Sequence, residues 1–280
     1  MLKKAVGTIL AVFSLAACAS PDNTQYIEEI QDASEALSEV ENGRFTVTDR
    51  VERNGSATKN KENGVFVRTE EGIDWQTRMN MEASDGTPGT KTERISIASN
   101  TYERFGRVDE EGRYINENDE VIEDFEWTAA NTEIDFLLDP LIDLEMDASF
   151  IEEIIKEENE ESVVYTIRYN EEFLEQQKEE NLSDLQTELE SLEEAHMNEQ
   201  ALQALEQNIA YQEGLSYDSM SLEAVVDSDG VLVEYILETK AAESMTIQPG
   251  DEPGRMVMTS HIEVLEYNEP TIAVRMEEAE

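Results

Sequence analysis

The sequence predicts an α+β fold, in which a long antiparallel sheet is combined with amphipathic helices. Apolar and polar residues alternate through much of the chain, and Asn-Gly or Ser-Asp-Gly turns separate the alternating runs, as in β-hairpins. Other stretches carry apolar residues at helical spacing. The chain is 31% charged but also 39% apolar, which favours a folded domain with a core over disorder.

The first predicted helix spans residues 26–40. Apolar residues recur every three or four positions there, and Asn42-Gly43 follows, which is typical of a helix end. The residues that form this apolar stripe are Tyr26, Ile30, Ala33, Leu37 and Val40.

An antiparallel meander is predicted for residues 45–105. Its clearest strand is 74–82, where Trp75, Met79 and Met81 share one face while charged and amide side chains share the other. Such alternation predicts a sheet with one dry face and one wet face. Residues 107–124 are acidic and predict a loop.

The middle of the chain predicts two helices and a strand. Residues 127–144 carry Ile134, Leu138 and Leu141 at helical spacing, and Pro140 should kink or break that helix. A second helix is predicted for residues 149–156, followed by an alternating strand at 163–169.

Residues 171–213 differ in kind, because they are strongly acidic and contain no Gly or Pro. They predict a helical hairpin with Asn198 as the cap of its second helix. A narrow leucine seam packs either onto the domain itself or onto a protein partner as a coiled coil. The seam consists of Leu182, Leu185, Leu189 and Leu192.

The chain is predicted to close with strands. Residues 220–226 and 231–239 flank the turn Ser228-Asp229-Gly230, which predicts a hairpin. Residues 256–266 follow, with Met256 and Met258 on one face, and residues 272–276 predict a last short strand.

The N-terminus predicts export and lipid anchoring. Lys3 and Lys4 precede a short apolar run, and residues 1–17 have the layout of a signal peptide. Residues 15–18, Leu-Ala-Ala-Cys, resemble the bacterial lipobox, which implies diacylglycerol on Cys18, the only cysteine. Two acyl chains suffice for stable anchoring. The prediction is a tether at 18–25 and a single domain at 26–280, facing the exterior of the cell membrane.

Charge limits the partners of this chain. It has 66 acidic and 20 basic residues, a formal net charge of −46, and no basic patch, so nucleic acid binding is not expected. Self-repulsion at this charge favours a saline or alkaline environment. A generally acidic extracellular protein is the alternative.

No motif predicts an enzyme, a cofactor or a specific metal site. His196 and His261 lack ligand partners at a fixed spacing, and a single cysteine excludes thiolate zinc sites. Asp227-x-Asp229-Gly230 resembles part of a calcium loop, but Val225 and Ile236 occupy ligand positions. Paired carboxylates for hydrolysis cannot be chosen among so many acids. The prediction is a non-enzymatic protein.

The arrangement resembles the lipoprotein-carrier-like (LolA/LppX-like) superfamily over residues 26–276. Residues 262–270, Ile-Glu-Val-Leu-Glu-Tyr-Asn-Glu-Pro, are similar to the way such chains finish. The resemblance implies a half-barrel of antiparallel strands closed by helices over an apolar cavity, which in some relatives holds lipid. The acidic segment 171–213 looks like an insertion, and no functional residue carries over from the family.

Two functions follow as hypotheses. The first is a surface lipoprotein that binds a lipid or other hydrophobic ligand in the half-barrel, because methionine adapts to irregular apolar partners. The second is a sensor or scaffold that binds a protein partner through residues 171–213. The predicted cavity lining of the first is Trp75, Met79, Met81, Met256 and Met258.

Overall fold

A computed structural model of the chain describes residues 23–81, 89–109, 111–123, 125–130, 136–142, 144–194, 199–243 and 254–274. The helices are α1 (Asn23–Ser38), α2 (Asp139–Ile142), α3 (Glu171–Glu194) and α4 (Glu199–Glu213). The strands are β1 (Asn42–Arg53), β2 (Ser56–Thr69), β3 (Gly72–Met81), β4 (Gly89–Ile97), β5 (Asn100–Val108), β6 (Thr128–Ala129), β7 (Ile151–Glu158), β8 (Ser162–Tyr169), β9 (Leu215–Asp227), β10 (Leu232–Glu243) and β11 (Arg255–Tyr267).

The eleven strands form one antiparallel sheet in the order β6-β5-β4-β3-β2-β1-β11-β10-β9-β8-β7. The last strand, β11, pairs with β1 and joins the two meanders, while β6 and β7 end the sheet without pairing to each other. The sheet is therefore curved and unclosed, and helices cover part of it. This confirms the predicted α+β half-barrel with an acidic helical segment.

The main core lies on the concave face, beneath α1. This helix buries Ile30, Ala33 and Leu37, as its apolar stripe predicted, and it also buries Ile27, which the predicted stripe did not include. Strand register places Val264 beside Phe45 and Ile262 beside Val47, so that all four side chains share this face. These residues belong to one buried cluster that also contains Leu222 and Ile167.

Two glycines let aromatic rings lie flat on the concave face. Gly64 pairs with Phe45 and Gly43 pairs with Phe66, and in each pair the ring covers the glycine. A Cβ on either glycine would overlap the ring that covers it. Both phenylalanines are almost completely buried as a result.

The predicted helix at 127–144 is wrong. Residues 128–129 form β6, and the helix α2 is a single turn that begins at Asp139. Leu138 and Leu141 are fully buried, because the chain crosses the concave face here as a turn. The turn places apolar residues three positions apart, as a helix would. Pro140 lies in the first turn of α2, where it interrupts no helical hydrogen bond. Ile134 lies outside the described residues.

The predicted helix at 149–156 is also wrong. Apart from a single turn at Ala148–Phe150, this segment is the edge strand β7. Its register shifts between Ile151 and Glu153, so the buried residues are Ile151 and Ile154, three apart. The β-bulge therefore gives the buried residues of this strand a spacing that is typical of a helix. The predicted last strand at 272–276 is not formed in residues 272–274, and 275–276 lie outside the described residues.

Part of the predicted acidic loop covers the convex face of β4 and β5. Bridges join Val108 to Tyr114 and Ile115 to Val121, and the ring of Tyr114 stacks on Phe125 with 4.1 Å between centroids. Glu93 and Ile95 are fully buried beneath this cover. The wet face predicted for the meander is therefore dry at this end of the sheet.

Candidate groove on the concave face

An open groove lies between α1, the segment around α2 and the sheet, and we call it the concave groove. Its volume is about 840 Å³, and its walls are formed by side chains of α1 between residues 31 and 38, by Tyr235 of β10, and by Pro140, Ile142, Leu144 and Glu145. It continues past Gln31 and Glu145 into a second open space of about 730 Å³. Residues 146–150 and residues 173–180 of α3 line this continuation.

Ser34 fixes the wall of the concave groove. The Ser34 hydroxyl donates to the carbonyl oxygens of Leu141, at 2.5 Å, and Ile142, at 2.9 Å. The Leu144 backbone N–H approaches the same hydroxyl oxygen at 3.4 Å. One buried hydroxyl on α1 therefore aligns a segment more than a hundred positions away, with Leu144 and Ile142 directed at the groove.

Replacing Ser34 with alanine is expected to lower the free energy of unfolding by about 1–2 kcal/mol, because two carbonyl groups lose their donor. Ser38→Ala is the matched control. The Ser38 hydroxyl bonds only to the Glu35 carbonyl of its own helix and is exposed, so we expect a loss below about 0.5 kcal/mol. Urea denaturation monitored by circular dichroism measures both. Equal losses for the two variants would show that Ser34 does not hold this segment.

One phenol, Tyr235, lines the concave groove, and a second, Tyr169, lies close to it. Burial raises the pKa of Tyr235, and burial together with the neighbouring Tyr235 raises the pKa of Tyr169. The Tyr169 ring stacks on Phe173, with 4.2 Å between centroids, at the continuation of the groove. Within the described part of the chain, neither hydroxyl has a hydrogen-bond partner. The raised pKa values keep both phenols neutral at neutral pH.

Four of the five residues predicted to line a cavity, Trp75, Met79, Met256 and Met258, share the concave face but do not lie together. Trp75 is 4% exposed in the main core, where its ring stacks on Phe136 at 6.3 Å. Met79 is half-buried further along β3. Met256 and Met258 belong to a second cluster that also contains Leu215 and Ala241. The side chain of Met81 lies outside the described residues.

The second cluster holds α4 against the sheet. Glu243, which is 7% exposed, accepts hydrogen bonds from Arg53 at 2.8 Å and from the Tyr211 hydroxyl at 2.5 Å. Burial and the bond to Glu243 raise the pKa of Tyr211 to about 12. On α3, the Lys178 ammonium donates to the carbonyl oxygens of Glu213 and Leu215. These contacts fix the acidic hairpin at its base.

The remaining predicted positions either lie outside the described residues or do not line the groove. Cys18 and residues 1–17 lie outside the described residues, as does His196. His261 lies on the convex face, with its Nε2 atom 2.8 Å from the Glu234 carboxylate. In the described ranges, no group of three His, Cys, Asp or Glu is arranged to hold a metal ion. No helix in the same ranges has the length and apolar character needed to cross a membrane.

Sequence reasoning missed Ile142, Leu144 and Tyr235 as groove residues. Tyr235 lies on the concave face of β10, opposite Ile262 and Ala224, as strand alternation predicts for an apolar face. Strand alternation does not predict where α1 and α2 lie above Tyr235. That position depends on the long-range contact between Ser34 and residues 141–142.

Comparison with known proteins gives structures but no sequence family. No protein-family model matches the chain, and no curated protein matches it significantly. LprF from Mycobacterium bovis is similar with a TM-score of 0.39 and 10% identity, covering 90% of this chain and 97% of that one. A lipoprotein-sorting protein domain from Vibrio parahaemolyticus follows with a TM-score of 0.25, 9% identity, and 90% and 96% coverage.

A LolA superfamily protein from Nitrosomonas europaea is similar with a TM-score of 0.23 and 9% identity, covering 89% of this chain and 93% of that one. Identities and TM-scores of this size transfer no function and no site.

Proposed function

We propose that this protein is an extracytoplasmic lipoprotein, anchored through Cys18, that binds a lipid or other hydrophobic ligand in the concave groove. The observation that carries the proposal is the groove itself, whose floor and wall present the half-buried apolar side chains of Ile142, Leu144 and Tyr235 to solvent. Its volume of about 840 Å³ is in the range of small-molecule sites in proteins. The lining proposed from sequence, Trp75 and the four methionines, stays a prediction.

The short tether supports this proposal. Helix α1 begins at Asn23, five residues after Cys18, and five residues span at most about 17 Å. Because α1 forms one wall of the concave groove, lipidation of Cys18 would keep the groove close to the membrane surface. A ligand that leaves or enters a bilayer would have a short distance to travel.

Native mass spectrometry of residues 21–280, purified without detergent and followed by organic extraction, tests the proposal. We expect a co-purifying apolar molecule of defined mass, which is lost in Leu144→Asp. Leu265→Asp is the matched control, because Leu265 is 52% exposed on the convex face and the substitution adds the same charge. A bare protein mass under all salt conditions, or equal loss in both variants, would contradict binding in the groove.

The alternative, a scaffold that binds a protein through residues 171–213, has less support. Leu182, Leu185 and Leu189 are half-buried, and α3 packs along α4. The seam therefore has a partner within the hairpin, and no contact among the described residues favours a second protein there.

A further inference from the structure

We propose that the concave groove selects an amphiphile with an ammonium-bearing head group and rejects one with an anionic head group. This inference rests on the proposed function, because it names the class of ligand that the same groove takes. It follows from how charged, aromatic and apolar side chains are distributed around the groove.

The charged side chains that line the groove and its continuation are all acidic. Three of them are glutamates, Glu35 on α1, Glu145 after α2 and Glu180 on α3, and the fourth is Asp147, which accepts hydrogen bonds from Ser149. All three glutamates are exposed, and none forms an ion pair with a described residue. The described lining residues include no lysine, arginine or histidine. A carboxylate or phosphate at this position would meet only like charges.

Two basic side chains on the neighbouring elements β7 and α3 are already engaged. Lys156 on β7 forms ion pairs with Glu29 and Glu158, each at 2.9 Å. Lys178 on α3 donates to two backbone carbonyl oxygens at the base of the hairpin. Neither ammonium group lines the groove, so neither supplies the positive charge that an anionic head group would require.

Aromatic rings add to the attraction for a cation. Tyr235 lines the groove, and Phe150 and Phe173 line its continuation, with 5.6 Å between the two phenylalanine centroids. An ammonium group is attracted to the face of such rings. The apolar tail of the ligand would lie on Ile142 and Leu144, and its head group would lie among the three glutamates.

Photocrosslinking with three probes tests this selectivity. The probes carry the same diazirine-labelled alkyl chain and end in an amine, an alcohol or a carboxylate. The full chain is presented in polymer-bounded nanodiscs, without detergent, and labelled peptides are quantified by mass spectrometry. We expect the amine to label residues 140–147 roughly tenfold more than the carboxylate, with the alcohol between them. Equal labelling by amine and carboxylate would overturn the inference.

Two triple variants separate the groove from the net charge of the whole protein. Glu35→Gln, Glu145→Gln and Glu180→Gln together should reduce the amine preference to about threefold or less, with unchanged labelling by the alcohol. The control replaces three exposed glutamates elsewhere and should keep the preference, although its net charge changes equally. Loss of the preference in the control would overturn the inference. The control positions are Glu160, Glu161 and Glu269.

The alcohol probe distinguishes the two proposals. If it labels residues 140–147 while the amine has no advantage, the groove binds apolar ligands and only the head-group selectivity fails. If none of the three probes labels these residues above the level of the convex face, the proposed function itself fails.

Discussion

Replacing Glu93 with glutamine is expected to lower the free energy of unfolding by about 3–5 kcal/mol, because it leaves two largely buried cations, Arg104 and Lys91, without a counter-charge. The Glu93 carboxylate is completely buried and accepts hydrogen bonds from Arg78 at 2.6 Å and Arg104 at 2.7 Å. Lys91 is 3.4 Å away and the Tyr114 hydroxyl donates at 3.1 Å. Glutamine keeps the shape but offers one neutral acceptor to four donors.

Glu111→Gln is the matched control for this experiment. Glu111 pairs with Arg113 at 3.0 Å, but its side chain is 71% exposed, and exposed ion pairs contribute about 1 kcal/mol or less. Urea denaturation of the wild type and both variants gives the comparison. A loss for Glu93→Gln no greater than that for Glu111→Gln would mean that the cluster contributes no more than a surface ion pair.

The same comparison has a defined pH dependence. Burial alone would raise the pKa of Glu93, but the Arg104 hydrogen bond and the charges of Arg104, Arg78 and Lys91 outweigh it and hold the pKa below its usual value. A carboxyl group with a lowered pKa stabilises the fold above its unfolded pKa, near 4.5, and this contribution is lost as pH falls through the folded value. The difference between wild type and Glu93→Gln should therefore be largest at neutral pH and shrink on acidification.

The Glu93 cluster shows where sequence reasoning failed for a physical reason. Alternation assigned Trp75 and Arg78 to opposite faces of the meander, and register places Glu93 beside Arg78. Alternation also predicted that the face with Arg78 is wet, but around Glu93 that face is dry. It is dry because Tyr114 and Phe125 fold back over it, a long-range contact that leaves no periodic signal in the sequence.

The elements predicted correctly are those specified by local chemistry. Helix α1 has a regular apolar stripe, and the hairpin of β9 and β10 has Gly230 at φ 81° in its turn. The predicted end of α1 is wrong, because the helix ends at Ser38 and Asn42-Gly43 begin β1. The two helices predicted wrongly, at 127–144 and 149–156, are places where a turn or a β-bulge sets apolar residues three or four apart. Spacing alone does not separate these cases from a helix.

The concave groove was only partly predictable from the sequence. Strand alternation placed Trp75, Met79, Met256 and Met258 on the correct side of the sheet. Which part of that side stays open depends on where α1, α2 and α4 cross it. Helix α1 and Phe136 cover the region of Trp75, while Tyr211 of α4 packs in the cluster of Met256. The groove forms between them, where no single segment of sequence identifies it.

Phe136→Ala is expected to lower the free energy of unfolding by about 3–5 kcal/mol, because it empties the centre of the main core. The Phe136 ring is 7% exposed and lies edge-on to Phe45 at 5.8 Å and Phe66 at 5.7 Å. It also stacks on Trp75. Phe105→Ala is the matched control, since Phe105 is 62% exposed, and its effect should stay within about 0.5 kcal/mol.

The cavity left by Phe136→Ala would have apolar walls and would border Trp75, so it should remain dry and accept a small aromatic molecule. Saturating benzene should therefore raise the melting temperature of Phe136→Ala and leave that of the wild type unchanged, because only the variant has a site to fill. The two results together separate a filled core from a pre-formed ligand space beside Trp75. If benzene stabilises the wild type as much as the variant, space beside Trp75 already exists, and the cavity lining predicted from sequence regains support over the concave groove.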